Sequence, residues 1–263
     1  MNLGTTRWRE GGAAVLAVLA LIGFGCATGR GKSDAEAEKK ARSHYDLGLE
    51  HLRNDNHALA IRELTSALEI DPEFEQAHYV IAEAYRRRQL PADAETHLRQ
   101  ALELNPKHQS ARFNLAALYL QTGRYEEAIP HAKQLAEEPT FPTPWRALTN
   151  LGWAQFKLGR YGEARESLET AVEYRPTYWP ALLNLGILEA EEGRRLEALA
   201  RFQRVLELKP GDFALAETNY RMAEIYTALG NRTRAFEHLS ASVEQGADSE
   251  WGKKSAEYLK LLQ

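Results

Sequence analysis

The sequence predicts an all-α fold, a superhelical solenoid of six helical hairpins closed by a C-terminal helix. Three observations carry that prediction. Four segments end alike, ALEIDP at Pro72, ALELNP at Pro106, AVEYRP at Pro176 and VLELKP at Pro210, spaced 34, 70 and 34 residues apart. Self-similarity at such a period marks stacked helical units. A 34-residue frame laid on these prolines puts alanine at position 20 six times, as Ala60, Ala94, Ala128, Ala164, Ala198 and Ala235. No stretch shows the sustained alternation of a half-buried strand.

The first element is an address. Arg7 and Arg9 precede Gly12–Gly25, a run of fourteen uncharged residues. A membrane-spanning helix needs about 20, so the run suits a signal-peptide core better than an anchor. Residues 1–25 therefore read as a signal peptide ending at Cys26, the single cysteine of 263 residues. Small residues before a lone cysteine resemble the lipobox of bacterial lipoproteins. That resemblance implies a covalent lipid on Cys26 and, because Ala27 is not aspartate, the outer membrane as destination. The alternative is an ordinary secretory peptide with an incidental cysteine. Residues 26–40, polar and small, read as a flexible tether.

Residues 41–263 are the repeat body. The repeats start at Ala41, Glu75, Gln109, Trp145, Trp179 and Ala216. Position 7 is apolar every time: Leu47, Ile81, Leu115, Leu151, Leu185 and Met222. Position 8 is small: Gly48, Ala82, Ala116, Gly152, Gly186 and Ala223. Positions 4, 7, 8 and 11 share one side of a helix at 100° per residue, and small residues at 8 and 20 let two helices approach. Proline near position 32 cannot continue the second helix. Thr143 and Pro144 are inserted before repeat 4, either as a tolerated surface loop or as a joint between two halves. Phe213–Leu215 are inserted before repeat 6. The last segment, Ser249 to Leu262, reads as a helix capping the final hairpin through Trp251, Tyr258, Leu259 and Leu262.

Composition and motifs narrow the function by exclusion. The chain is 44% apolar and 27% charged, with 33 Lys+Arg against 37 Asp+Glu and a formal charge of −4. That balance lacks the basic excess of a nucleic-acid binder. One cysteine supplies neither a disulfide nor a thiolate metal cluster. The eight histidines form no zinc-hydrolase pair, and His44 and His78, both at position 4, read as parts of the repeat interface. No G-x-S-x-G or paired-carboxylate set is present. The sequence offers no small-molecule substrate, metal or cofactor site, and it reads as a non-enzymatic binding protein.

Positions 2, 5, 9 and 12 form a separate helical face. In the middle repeats this face is apolar and aromatic: Phe113, Ala117 and Leu120, then Thr149, Trp153 and Phe156, then Leu183 and Ile187. Toward the chain ends it is polar. An apolar patch with a polar rim marks a partner site. Asn114, Asn150 and Asn184 stand beside it, all at position 6, as amides able to hold a partner backbone. The alternative is that these side chains pack within the array.

The repeat pattern resembles the tetratricopeptide repeat, matched in repeat 4 by Leu148, Leu151, Gly152, Ala164, Leu168 and Pro176. In that family the apolar face lines a concave groove. A lipobox-like start followed by six such repeats resembles the PilF/PilW/Tgl pilotin lipoproteins of type IV pili. The most specific local match is Phe141-Pro-Thr-Pro144 followed by Ala147-Leu-Thr-Asn-Leu-Gly152. This resemblance implies an outer-membrane lipoprotein on the periplasmic face whose groove binds secretin subunits and promotes their multimer assembly, supporting pilus biogenesis and motility. The alternative of the same architecture is an envelope adaptor that gathers cell-wall enzymes.

Overall fold

The computed structural model of the protein describes residues 27–262, so the signal peptide and Cys26 lie outside the described residues. Thirteen helices and no strand occur among the described residues. They are α1 (Ala27–Arg53), α2 (His57–Ile70), α3 (Glu75–Arg87), α4 (Pro91–Leu104), α5 (Gln109–Gln121), α6 (Tyr125–Ala136) and α7 (Pro144–Lys157). Next come α8 (Tyr161–Tyr174), α9 (Trp179–Glu191), α10 (Arg195–Glu207), α11 (Asp212–Ala228), α12 (Arg232–Gly246) and α13 (Glu250–Leu262). The chain divides into two compact units, residues 1–77 and 78–263.

The repeat frame accounts for where these helices start and stop. Helices α2, α4 and α8 end two residues before Pro72, Pro106 and Pro176, because proline offers no N–H and clashes with the preceding turn. Between the two helices of each hairpin, frame position 15 is left-handed. Gly123, Gly159, Gly193 and Gly230 sit there at φ 73–78°, and Asp55 and Gln89 hold the same position at φ 56° and 59°. Glycine carries no steric penalty in that conformation, which explains its use in four repeats of six.

The smaller unit holds α1, α2 and the start of α3. The segment 26–40, expected as a flexible tether, is instead helical from Ala27 onward and forms the first turns of α1. Its alanines, glutamates and lysines are strong helix formers, and lengthening an existing helix requires no new nucleus. Gly48 lies where a Cβ would come within 2.6 Å of Leu64 Cγ, so α1 and α2 approach as closely as the small position 8 predicts.

The larger unit repeats that packing. All six position-20 alanines are fully buried. Ile81, Leu115, Leu151, Leu185 and Met222 are buried at position 7, whereas Leu47 of the smaller unit is 43% exposed. In four hairpins the side chain at position 4 meets the one at position 23. The pairs are His44 Nδ1 with Glu63 Oε2 (2.9 Å), His78 Nδ1 with His97 Nδ1 (2.9 Å), Arg112 with His131 (3.4 Å) and Asn219 Oδ1 with His238 Nδ1 (2.7 Å). Five of the eight histidines thus serve the interiors of hairpins, while His108 accepts from the Ala111 N–H at the start of α5.

Both insertions have a structural role. Phe213–Leu215 add most of a turn to the start of α11. In the segment before α7, Phe141 is buried with Leu135 and Ala147, and Pro144 opens the helix at its first position, where a missing N–H costs nothing. Helix α13 closes the last hairpin: Trp251 and Ser255 are buried, and Ser255 donates to Ser242 Oγ (2.8 Å) on α12. Tyr258, Leu259 and Leu262 are half-buried.

Candidate functional site

The candidate face is carried by the first helices of repeats 3, 4 and 5, namely α5, α7 and α9 in the larger unit. Helical spacing brings Phe113, Ala117 and Leu120 to one side of α5, and all three are half-buried. Phe113 lies under the Arg146 guanidinium, 4.4 Å from its carbon, and 6.1 Å from the Phe141 ring. Leu120 packs against the core formed around Leu98, Leu115 and Leu118.

On α7, Trp153 and Phe156 stack at 5.2 Å. The ammonium of Lys157 sits 5.3 Å from the Trp153 ring and 6.0 Å from Tyr125, an arrangement in which the ring faces attract the cation. Phe156 reaches further inward, against Leu168, Leu185 and Leu188. It joins the core and the exposed face. Lys157 was not among the expected site residues, although its i, i+4 relation to Trp153 is the signal that places it there.

Two expected groove residues belong elsewhere. Thr149 is buried, and its hydroxyl donates to the Trp145 carbonyl at 2.7 Å, so it is spent within its own helix. Leu183 is buried with Phe202, Val205, Met222 and Ile225, making it core. Position 5 turns inward there because repeat 6 packs against repeat 5. Ile187 remains half-buried and lines a cleft of about 310 Å³ with Arg195, Arg221 and Glu224.

Asn114, Asn150 and Asn184 occupy the same position on three successive first helices. Each is half-buried, and no side-chain hydrogen bond joins any of them to another described residue. An amide that is neither fully solvated nor bonded within the fold keeps its N–H donors and its carbonyl acceptor available. The face therefore combines three open amides, two stacked aromatics and two cations lying on aromatic rings.

The sequence pattern of the tetratricopeptide repeat matches residues 45–95, 79–141 and 149–213. The chain belongs to the tetratricopeptide-repeat family. Among curated proteins it is similar to the type IV pilus assembly protein PilF of Pseudomonas aeruginosa, 28% identical over 164 residues. That alignment covers 61% of this chain and 65% of PilF, just under two thirds of the relative's length. Among solved structures, the crystal structure of PilW, a widely conserved type IV pilus biogenesis factor, is similar with a TM-score of 0.69 and 25% identity. It covers 81% of this chain and 97% of PilW. The Pseudomonas aeruginosa PilF structure has a TM-score of 0.68 at 20% identity, covering 86% and 99%, and shares the tetratricopeptide-repeat fold. Among the described residues no helix is long and apolar enough to cross a membrane.

Proposed function

We propose that this tetratricopeptide-repeat protein acts in type IV pilus biogenesis as a pilotin. In this reading it is a lipoprotein acylated at Cys26, held on the periplasmic face of the outer membrane, and it binds secretin subunits during their assembly into a ring. Its likeness to PilF and PilW supports the pilus assignment. The observation that carries the binding step is the line of unbonded amides Asn114, Asn150 and Asn184 beside Trp153 and Phe113.

The chemistry follows from those groups. Each amide can donate to a carbonyl and accept from an N–H of a partner main chain, which holds the segment whatever its side chains are. Trp153 and Phe113 cover apolar side chains, as aromatic anchors do at interface centres. Arg146 and Lys157 remain as cations at the rim for acidic flanks of the same segment. In this reading the face shields membrane-seeking segments of a secretin subunit before it oligomerises. No cofactor takes part beyond the covalent lipid. One acyl chain gives only marginal membrane binding, so stable anchoring requires the full multi-chain modification.

The test is a pull-down of secretin from detergent-solubilised envelope using wild type, Trp153→Ser and the triple variant Asn114→Ala/Asn150→Ala/Asn184→Ala. Trp153→Ser is expected to weaken binding about thirtyfold, the equivalent of roughly 2 kcal/mol, with little change in melting. Normal secretin capture and multimerisation by both variants sinks the reading. Enrichment of cell-wall enzymes in place of secretin assigns the face to an envelope adaptor. Cys26→Ala is expected to remove labelling by a palmitate analogue, and equal labelling of both proteins removes the anchor from the proposal.

A further inference from the structure

In repeats 3 to 6 the side chain at frame position 7 is a knob set into the hairpin before it. Leu115 packs with Ala82, Ala94 and Leu98, and Leu151 packs with Ala116 and Ala132. Leu185 packs with Ala164 and Leu168, and Met222 with Ala198 and Phe202. Each time the socket includes the position-24 side chain of the preceding hairpin, together with a small residue at position 8, position 20 or both. Leu47 holds the same frame position in repeat 1. It is 43% exposed, and no described helix precedes α1 to supply its socket.

Leu47 opens onto a cleft of about 970 Å³ within the smaller unit, which Phe74 also lines. Phe74 is half-buried and held in place by the Tyr45 ring at 4.9 Å. Carboxylates outnumber cations on the walls six to two, Glu38, Glu50, Asp71 and Glu73 among them. One of the two cations, Arg42, is already paired with Asp46 at 3.4 Å. The cleft is therefore an apolar knob and ring within a field of net negative charge.

We propose that this cleft docks an amphipathic helix of a partner protein, small and aliphatic on the face that receives Leu47 and Phe74, and basic on its flanks. The helical form follows from the knob, which a helical hairpin receives at each of the four sockets above. The basic flanks follow from charge complementarity. A second copy of this chain is the poorer occupant. Its sockets in repeats 2 to 5 already hold knobs, and the last socket is closed, with Ala235 and Leu239 fully buried. The cleft shares no residue with the face carrying Trp153, so either proposal can fail while the other stands.

The probe is a fluorescent 14-residue peptide with the sequence of α8, whose Ala164 and Leu168 receive Leu185 in the fold. In it Glu163→Lys, Glu166→Lys, Glu169→Lys and Glu173→Lys supply the basic flanks. Titrated into the full chain, this peptide is expected to bind about tenfold more tightly than the unmodified α8 peptide, and to weaken as salt is raised. Leu47→Lys and Glu73→Lys lie at exposed positions, should melt like wild type, and are each expected to reduce binding about tenfold. Equal binding of the two peptides, binding of neither, or insensitivity to both substitutions overturns the proposal. A dimer in light scattering that Leu47→Lys abolishes also overturns it, because the occupant would then be a second copy.

Discussion

Repeats 2, 3 and 6 fill the inside of their hairpins with a tyrosine and a histidine; repeats 4 and 5 use slimmer polar pairs. Tyr85 stacks on His97 at 5.6 Å, Tyr119 meets His131 at 5.8 Å, and Tyr226 stacks on His238 at 5.3 Å. At the same frame positions, 11 and 23, Ser167 donates to Gln155 Oε1 at 2.7 Å, and Arg201 reaches Glu189 Oε1 at 3.4 Å. Position 8 changes in step: alanine accompanies the tyrosine (Ala82, Ala116, Ala223) and glycine replaces it in repeats 4 and 5 (Gly152, Gly186). A Cβ at Gly186 would stand 2.6 Å from Phe202 Cε1 and one at Gly152 2.7 Å from Leu168 Cγ, so the position-24 side chain occupies the space that an alanine would need. Repeat 1 also has glycine there, Gly48, and no tyrosine at position 11. Glycine at position 8 and tyrosine at position 11 thus never occur in the same repeat.

The strongest way to break that comparison is to overfill a tight hairpin. A Cβ at Gly152 would lie 2.7 Å from Leu168 Cγ and 3.1 Å from the Ala164 carbonyl oxygen, which is backbone and cannot rotate away. Gly152→Leu is expected to cost about 3 kcal/mol. Because each repeat rests on its neighbours, the loss should appear as a broken array near the middle. Thermal melting and denaturant midpoints measure it, and an unchanged midpoint would refute the packing register.

Removing one partner of the polar pair in repeat 5 comes next. Glu189 is fully buried, with Arg201 Nε at 3.4 Å and Arg165 Nη1 at 3.8 Å, and Arg165 Nη1 has no hydrogen-bond partner. Glu189→Ala takes the carboxylate from Arg201, while Arg165 keeps Glu192 and, at 3.5 Å, Glu169, and it leaves a cavity. A fully buried pair costs about 3–5 kcal/mol to break, and roughly 2 kcal/mol is expected here because both arginines reach solvent. Equilibrium unfolding in denaturant decides it.

The two kinds of hairpin should also respond to pH with opposite signs. Burial, aided by the neighbouring His78, holds His97 down to about 4 from its ordinary 6.5. Burial likewise lowers His131, helped by Arg112 and Arg99, and lowers His238, where nearby Glu237 opposes the shift. A depressed folded value means that stability present above about 6.5 is lost as pH falls toward 4, since the unfolded chain takes up protons first. Burial raises Glu189 against the pull of Arg201 and Arg165. Its contribution is full at low pH and is lost as pH rises through its raised value. With three histidines against it, the melting temperature is expected to drop on acidification. His97→Gln should flatten that drop by about 2–4 °C. Identical pH profiles for wild type and variant would remove the histidine from the account.

Much of the fold was legible because it depends on size and period. Alanine at position 20 fills a space where two helices touch, and that space recurs every repeat, so the sequence records it six times. The polar interiors were less legible because position 23 varies as Glu63, His97, His131, Ser167, Arg201 and His238. Only its partner, 12 or 19 residues away, gives each one meaning. Of the expected face, Trp153, Ile187 and the three asparagines remain at the surface, while Thr149 and Leu183 are buried. A helical wheel assigns direction from one helix axis. It does not register that the next hairpin packs over Leu183, or that a threonine turns its hydroxyl onto its own backbone. The helical segment 27–40 was missed for another reason: small and polar residues suit a tether, and the same residues extend a helix that packing elsewhere has already nucleated.

The smallest expected effect separates the hydrogen bond in repeat 4 from the space it fills. Ser167 and Gln155 are both buried, and Ser167 is the donor to Gln155 Oε1. Gln155 Nε2 donates outward to Glu163 at 3.4 Å, so losing the serine leaves one acceptor unpaired and the other end of the amide held. Ser167→Ala is expected to cost about 1 kcal/mol, the penalty of an unsatisfied buried acceptor. Gln155→Leu combined with Ser167→Ala removes both partners and keeps most of the volume, so the pair should return close to wild-type stability. That outcome assigns the polar pair to geometry, as a filler narrow enough for a hairpin with glycine at position 8. If the double variant is instead less stable than Ser167→Ala alone, the hydrogen bond itself supports the hairpin, and the two kinds of repeat differ in energetics as well as in shape.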